Sequence, residues 1–374
     1  MNQEAAPKTL HTSRSPRKQA ESIGYIDVLI VGAGLSGIAA AYHLQQQCAN
    51  KNFLILERMN SFGGTWLSHN YPGIRSDSDL HTFGYRFKPW RGVPIATADV
   101  IRRYMAEVIE EYDIGQHIHY QHDIRRATWS SKLKRWQLEV CNLSTGKTFS
   151  LETGFLWMCS GYYRHRSGYQ PQWPGMNQFK GQLVHAESWP NDLDYKNKRI
   201  VVIGSGATAA TMIPAMAKHA SHVTMLQRSP TFFITGRNIN ELVQMLRELD
   251  IPADWIHEIA RRKILKDQAV FSERCIKEPD LVRQELLAGV RAQLGEAFDV
   301  EKHFSPAYRP WQQRIAFIPD GDLFAAMREN KATVVTEAIE SFTPDGILLK
   351  SGEVLQAELI VSATGFDLNV LGDI

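Results

Sequence analysis

The chain has 374 residues, 44% of them hydrophobic and 22% charged, with a formal net charge of +2. That length builds two domains of ordinary size, and a nearly neutral chain argues against a nucleic-acid or other polyanionic partner. Four irregularly spaced cysteines, Cys48, Cys141, Cys159 and Cys275, make neither a disulfide framework nor a zinc pattern and suit a reducing cytoplasm.

Residues 1–22 are polar and slightly basic, lack the apolar run of a secretory signal, and read as a disordered tail. No stretch has the length and apolarity of a membrane-spanning helix, which leaves at most a peripheral contact with a membrane. YIDVLIVGAG (25–34) reads as a buried parallel strand running into a glycine turn. LSGIAAAYHLQQQ (35–47) then reads as a helix and FLILE (53–57) as a second parallel strand. In this βαβ unit Gly32 permits the tight turn, Gly34 the approach of a pyrophosphate, and Gly37 close helix–strand packing. The helix N-terminus adds N–H groups and the positive end of its dipole. Glu57, closing the second strand, is placed to accept the ribose hydroxyls of an adenosine.

From Ile124 to Glu152 the pattern alternates. IRRATW, RWQLEVC and KTFSLE predict a small antiparallel meander, with NLSTGK as one turn. FLWMCSG (155–161) predicts a return to a buried strand. A second βαβ unit opens at RIVVIGSG (199–206), continues in the helix ATAATMIPAMAKHA (207–220) and reaches VTMLQRS (223–229). Its loop is Gly204, Ser205, Gly206, Ala207, Thr208 and Ala209. No acid follows its second strand; Arg228 and Ser229 stand there instead, and they suit the 2′-phosphate of NADPH. Residues 240–300 predict a helical insertion, and strands resume at TVVTE, GILLK and ELIVSATG.

FLWMCSG and ELIVSATG look alike and read as the two chain crossings between domains. The expected fold is therefore α/β, with two Rossmann-like dinucleotide-binding domains of glutathione-reductase type, the second inserted in the first. The first domain takes residues 23–161 and 363–374, and the second takes 162–362. Two loops in one chain imply two cofactors that exchange electrons. A disulfide reductase shares this layout, but Cys48 has no second cysteine a few residues away.

Between the loops lies FKGQLVHAESWP (179–190), in which Phe179, Gly181, His185, Trp189 and Pro190 are regularly placed. With GGTW (63–66), YPGIRSDSDL (71–80), YRPWQQR (308–314) and ATGF (363–366), it resembles the class B flavoprotein monooxygenases, Baeyer–Villiger branch, of the ethionamide-activating and long-chain-alkane type. The resemblance covers residues 24–374. It implies FAD in the first domain and NADPH in the second. A flavin peroxide adduct would insert one atom of O2 into a lipophilic ketone; oxidation of nitrogen, sulfur or an alkane-derived compound is the alternative.

By the same resemblance Ser36, Glu57, Gly64, Thr65, Trp66, Leu67 and Asp77 match flavin contacts, and the backbone of Ile124 meets the adenine. Ser205, Gly206, Ala207, Thr208, Ala209 and Ala210, with Arg228 and Ser229, match the nicotinamide-cofactor site. Arg314 in WQQRIAF matches the arginine that reaches over the flavin, and Asp77 the acid that orients it. His185 is implied to organise the loop that couples the domains. Two departures stand out. HNYPG (69–73) lacks the arginine that commonly precedes the tyrosine. The chain also stops at Ile374, whereas such proteins continue for about a hundred residues more, so an inactive nucleotide-binding fragment is a further expectation.

Overall fold

The computed structural model describes residues 21–374, apart from the side chains of residues 21–23, 165–167 and 373. The first unit contains β1 (Glu21–Val31), α1 (Leu35–Gln47), β2 (Phe53–Leu56), α2 (Thr65–Ser68), α3 (Leu80–Phe83) and α4 (Ala98–Glu111). It continues with β3 (Ile118–His119), β4 (His122–Ser130), β5 (Arg135–Asn142) and β6 (Thr148–Met158). These strands form one sheet in the order β3-β2-β1-β6-β5-β4. Its β3-β2-β1-β6 half is parallel and its β6-β5-β4 half antiparallel. Val28 and Ile30 pack toward α1 and α4, while Leu29 and Val31 pack toward the meander. Burial on both faces is why β1 is a continuous apolar run rather than an alternating one.

Two expectations need correction here. The expected tail, 1–22, ends in the sheet: Glu21 and Ser22 already pair with Phe149 and Ser150 of β6, and its other residues lie outside the described part. The meander's last strand and the predicted strand at 155–158 are one element, β6. It is not buried at its end, for Phe155 is 56% and Trp157 37% exposed. Pairing with β5 stops at Thr153, so beyond that point β6 keeps only β1 as a neighbour among the described strands.

β7 (Tyr163–Gly168) and β8 (Gln182–His185) lead into the second unit. Next come β9 (Arg199–Ile203), α5 (Ala207–Met216), β10 (His222–Gln227) and β11 (Phe233–Gly236). Helices α6 (Glu241–Glu248), α7 (Ala253–Lys277), α8 (Pro279–Leu294) and α9 (Val300–Phe304) follow. The helix predicted over 207–220 ends at Met216, two residues past Pro214. The chain then forms β12 (Ala316–Pro319), α10 (Asp322–Arg328), β13 (Ala332–Thr336), β14 (Ile339–Thr343), β15 (Gly346–Leu349), β16 (Val354–Gln356), β17 (Leu359–Ser362) and β18 (Phe366–Leu368). The second large sheet is parallel throughout, in the order β13-β10-β9-β17-β8. Ile200 and Val202 face the helices, and Val201 and Ile203 face the β14-β15-β16 meander. Where the chain passes between the sheets, β7 and β18 run antiparallel to each other.

The first glycine turn is sterically closed to other residues. Gly32 has φ +100°, and a Cβ there would meet the Cys159 carbonyl oxygen at 2.7 Å; a Cβ on Gly37 would fall 1.9 Å from the Gly32 carbonyl oxygen. Gly37→Ala is therefore expected to lower stability by about 1–3 kcal/mol, as overpacking does. An unchanged midpoint in urea unfolding would contradict this packing.

Candidate active site

The N-termini of α1 and α5 open onto one cavity of about 840 Å3. Each helix is N-capped by a glycine, Gly34 and Gly206, with no side-chain cap and no acid in its first turn. The leading N–H groups of both helices thus remain available to an anion, and no carboxylate opposes one. Gly32, Gly34, Ser36, Glu57, Gly64, Thr65, Trp66, Asp77 and Ile124 line the cavity on the side of the first sheet. Gly206, Ala207 and Thr208 line it on the side of the second. Both loops predicted to hold nucleotides therefore meet at a single site.

Glu57 is buried at the end of β2. Its Oε2 accepts the Ala33 N–H at 2.7 Å and its Oε1 the Met59 N–H at 2.7 Å. Those bonds fix the carboxylate at the cavity wall and leave lone pairs for hydroxyl donors. Gly64 caps α2, and Gly63 donates its N–H to the Ala33 carbonyl at 3.0 Å, tying GGTW to the first glycine loop. The glycines, the buried acid and the two uncapped helix starts fit a dinucleotide on each side.

Arg314 and Asp77, distant in sequence, are brought together. Arg314 Nη2 donates to Asp77 Oδ1 at 2.6 Å and to Ser78 Oγ at 3.1 Å. Both residues line the cavity. The segment that carries Asp77 packs against α5, where a Cβ on Gly73 would meet Ala215 Cβ at 2.7 Å and the Thr211 carbonyl oxygen at 2.8 Å. The Tyr71 hydroxyl is held near its acid form, its pKa pushed up to about 12 by burial against the opposing effect of its hydrogen bond with Thr208. Asn70, in the place of the expected arginine, donates to the Trp189 carbonyl at 3.2 Å and to Asn191 Oδ1 at 2.6 Å.

The regularly placed motif is structural around these contacts. His185 ends β8, where its Nδ1 accepts the Glu187 N–H at 3.2 Å and its Nε2 lies 3.3 Å from the Tyr169 carbonyl oxygen. Burial lowers its pKa, with the Tyr169 contact acting in the other direction, so the ring is neutral at physiological pH. Trp189 is buried against Tyr195. Gly181 lets the Phe179 ring and the Glu358 carbonyl close in, each within 2.5 Å of where a Cβ would stand.

Several expected contacts sit elsewhere. Ala209 and Ala210 turn into the core because α5 is buried along that face. Leu67 packs beneath Gly63 rather than lining the cavity. Ser205 is buried, and its Oγ lies 2.9 Å from Thr231 Oγ1, so it braces the loop after β10. Strand β10 stops at Gln227, whose amide is committed to the His303 carbonyl and Thr336. Arg228 and Ser229 follow it, exposed. Tyr71, Arg75, Ser78, Tyr163, Thr211 and Thr231 also line the cavity, beyond the residues that the sequence predicts. Three of them lie inside YPGIRSDSDL, the signal that could have found them; Tyr163 and Thr231 belong to no such pattern.

Known proteins resemble this chain in sequence and in fold. The family model of pyridine nucleotide-disulphide oxidoreductases matches residues 26–274. The chain is 45% identical over 350 residues to the FAD-containing monooxygenase EthA of Mycobacterium tuberculosis, covering 93% of this chain and 71% of the relative. It is 43% identical over 352 residues to the probable FAD-binding monooxygenase AlmA of Acinetobacter baylyi, covering 94% and 70%. The chain belongs to the FAD-containing monooxygenases. Its fold is that of an oxidised steroid monooxygenase bound to NADP, with a TM-score of 0.75 at 22% identity over 92% of this chain and 71% of that one. It is also that of cyclohexanone monooxygenase, with a TM-score of 0.73 at 19% identity over 94% and 75%. Although the wider family is named for disulphide chemistry, all four cysteines of this monooxygenase are free.

Beside His185, Glu187 has a buried Oε1 with no hydrogen-bond partner among the described residues. Burial, helped by the charge of Asp367, pushes its pKa from 4.5 to about 7. A carboxyl whose pKa rises on folding contributes most stability below its unfolded value and loses that contribution as pH rises through the folded one. The stability gained by Glu187→Gln is therefore expected to grow between pH 4.5 and about 7 and then level off. Thermal unfolding across that range checks it; a difference independent of pH would contradict the burial of this group.

Proposed function

We propose that this monooxygenase uses FAD and NADPH to insert one oxygen atom of O2 into a lipophilic ketone, giving an ester or lactone. The other oxygen atom leaves as water. The observation that carries this reading is the single cavity onto which both uncapped helix N-termini open, with the Arg314–Asp77 pair in its wall. In the proposed division, residues 23–161 and 363–374 hold the flavin and residues 162–362 the nicotinamide cofactor. Free thiols suit a reducing cytoplasm.

Glu57 would accept the adenosine ribose hydroxyls, and the N-terminus of α1 would hold the pyrophosphate. Ser36, Gly64, Thr65 and Trp66 would complete that side, and the Ile124 backbone would meet the adenine. Gly206, Ala207 and Thr208 would hold the second pyrophosphate at α5, while Arg228 and Ser229 stand free for a 2′-phosphate. Bound flavin supplies the activation of O2, which no side chain here performs.

The chain's own groups supply position and charge. Arg314, anchored on Asp77 and Ser78, offsets negative charge that develops on oxygen beside it. Trp66, Ile74, Phe83, Tyr163 and Phe366 give the cavity an apolar wall, which excludes water and suits a lipophilic substrate. His185, neutral and engaged at both ring nitrogens, organises its loop and does not act as a base.

Product analysis with a panel of ketones tests the reading. Arg314→Ala is expected to abolish ester formation while NADPH still reduces the flavin; normal ester yield from that variant would remove the arginine from the reaction. Arg228→Ala is expected to raise KM for NADPH about tenfold, the size of one lost charge-assisted hydrogen bond, and to leave KM for NADH unchanged. Equal effects on both cofactors would show that Arg228 does not read the phosphate.

A further inference from the structure

The Arg314–Asp77 pair poses a mechanical problem. It joins segments of the two units, and the Arg314 side chain is 59% exposed. An exposed ion pair contributes little by itself and loses side-chain entropy when held in one geometry. Something else must keep the two segments in register.

We propose that Arg75 and Asp322 are positioning residues, a second ion pair that holds the segments bearing Asp77 and Arg314 against each other. This inference rests on the oxygenase reading above. Arg75 Nη1 donates to Asp322 Oδ2 at 2.5 Å and Nη2 donates to Oδ1 at 3.1 Å, a planar fork on a carboxylate. The two side chains are 17% and 33% exposed, so this pair is better shielded than the one it supports. Two-point contact fixes distance and orientation together, which a single point charge such as lysine does not.

Each partner is fixed to its own segment. On one side, Ser76 N–H donates to the Ala96 carbonyl at 2.8 Å and Ala98 N–H to the Ile74 carbonyl at 3.2 Å. Ala96 N–H also donates to Ser76 Oγ at 3.2 Å. The stretch that carries Arg75 and Asp77 is thus pinned to the lead-in of α4. On the other side, Asp322 opens α10, and its Oδ1 also accepts the Leu323 N–H at 2.8 Å. That helix follows β12, which starts just after Arg314 and pairs with β11. Asp322 does not line the cavity. Its partner Arg75 does line the cavity, so a loss of function on changing Asp322 acts through Arg75 and the segments that the pair joins.

The test uses the purified full chain carrying Asp322→Asn, Arg75→Lys, or the exchange of charges Arg75→Asp with Asp322→Arg. Amide hydrogen exchange is measured first, without added nucleotides, at residues 74–78 and 315–319. Asp322→Asn is expected to speed exchange in both segments about tenfold, matching the loss of a charge-assisted hydrogen bond, with the rest of β1 and β9 unchanged. With NADPH and a ketone the same variant is expected to lower the share of NADPH that ends in product. The lost share appears as hydrogen peroxide, while KM for NADPH stays within about twofold. Arg75→Lys should fall between the two, and the exchange of charges should restore product yield in part. Unchanged exchange in Asp322→Asn overturns the proposal, as does faster exchange with undiminished product yield. If the parent chain forms no oxygenated product from any ketone, the oxygenase reading fails, and the exchange measurement still decides whether this pair holds the segments.

Discussion

The constraint on which this molecule depends is that two helices end, at their N-termini, in glycine rather than in a capping side chain, and that both ends open on one cavity. A surface helix usually satisfies its first N–H groups with Ser, Thr, Asp or Asn. Here α1 and α5 leave them available. The tight turns that make this possible leave no room for side chains: Gly32 presses on the Cys159 carbonyl and Gly204 on the Ala363 carbonyl. Those two carbonyls belong to the places where the chain passes from one sheet toward the other. Glycine loops and chain crossings are therefore one piece of steric design, and moving either would reshape the other.

The two units are stitched around that cavity by polar contacts of unequal strength. Asn70 bridges to Trp189 and Asn191, Arg75 to Asp322, and Arg314 to Asp77. Farther out, Asn238 bonds both the N–H and the carbonyl of Ile95, and Arg261 reaches the carbonyls of His81 and Thr82. Beside these bonds, Tyr71 and Ile74 of the first unit pack into the core of the second, so the seam is part polar and part apolar.

Much of this was legible in the residues. The two βαβ units, the acid at Glu57 and the insertion between 240 and 300 follow from periodicity and glycine spacing, because local sterics and burial dictate them. The approach of Arg314 to Asp77 did not follow from periodicity. It depends on how β12 and the YPGIRSDSDL segment are placed by two different sheets, and only the resemblance to known monooxygenases brought those residues together. Other features were legible only in three dimensions. Ala209 and Ala210 belong to the loop pattern yet face the core, since a helix start shows the ligand its backbone and shows the interior its side chains. The merging of two predicted strands into β6 was hidden because Phe155 and Trp157 look like core residues in sequence but lie where β5 has ceased to pair. The pairing of Arg75 is invisible in its motif because its partner Asp322 lies far along the chain.

In the proposed function, a nicotinamide held by the later glycine loop and a flavin held by the earlier one share this cavity closely enough to pass a hydride. Anaerobic mixing of the flavin-loaded chain with NADPH follows that transfer. The visible absorption of oxidised flavin is expected to bleach in a single turnover, at a rate that saturates with NADPH. A chain that retains its flavin while that absorption stays unchanged at any NADPH concentration would contradict it.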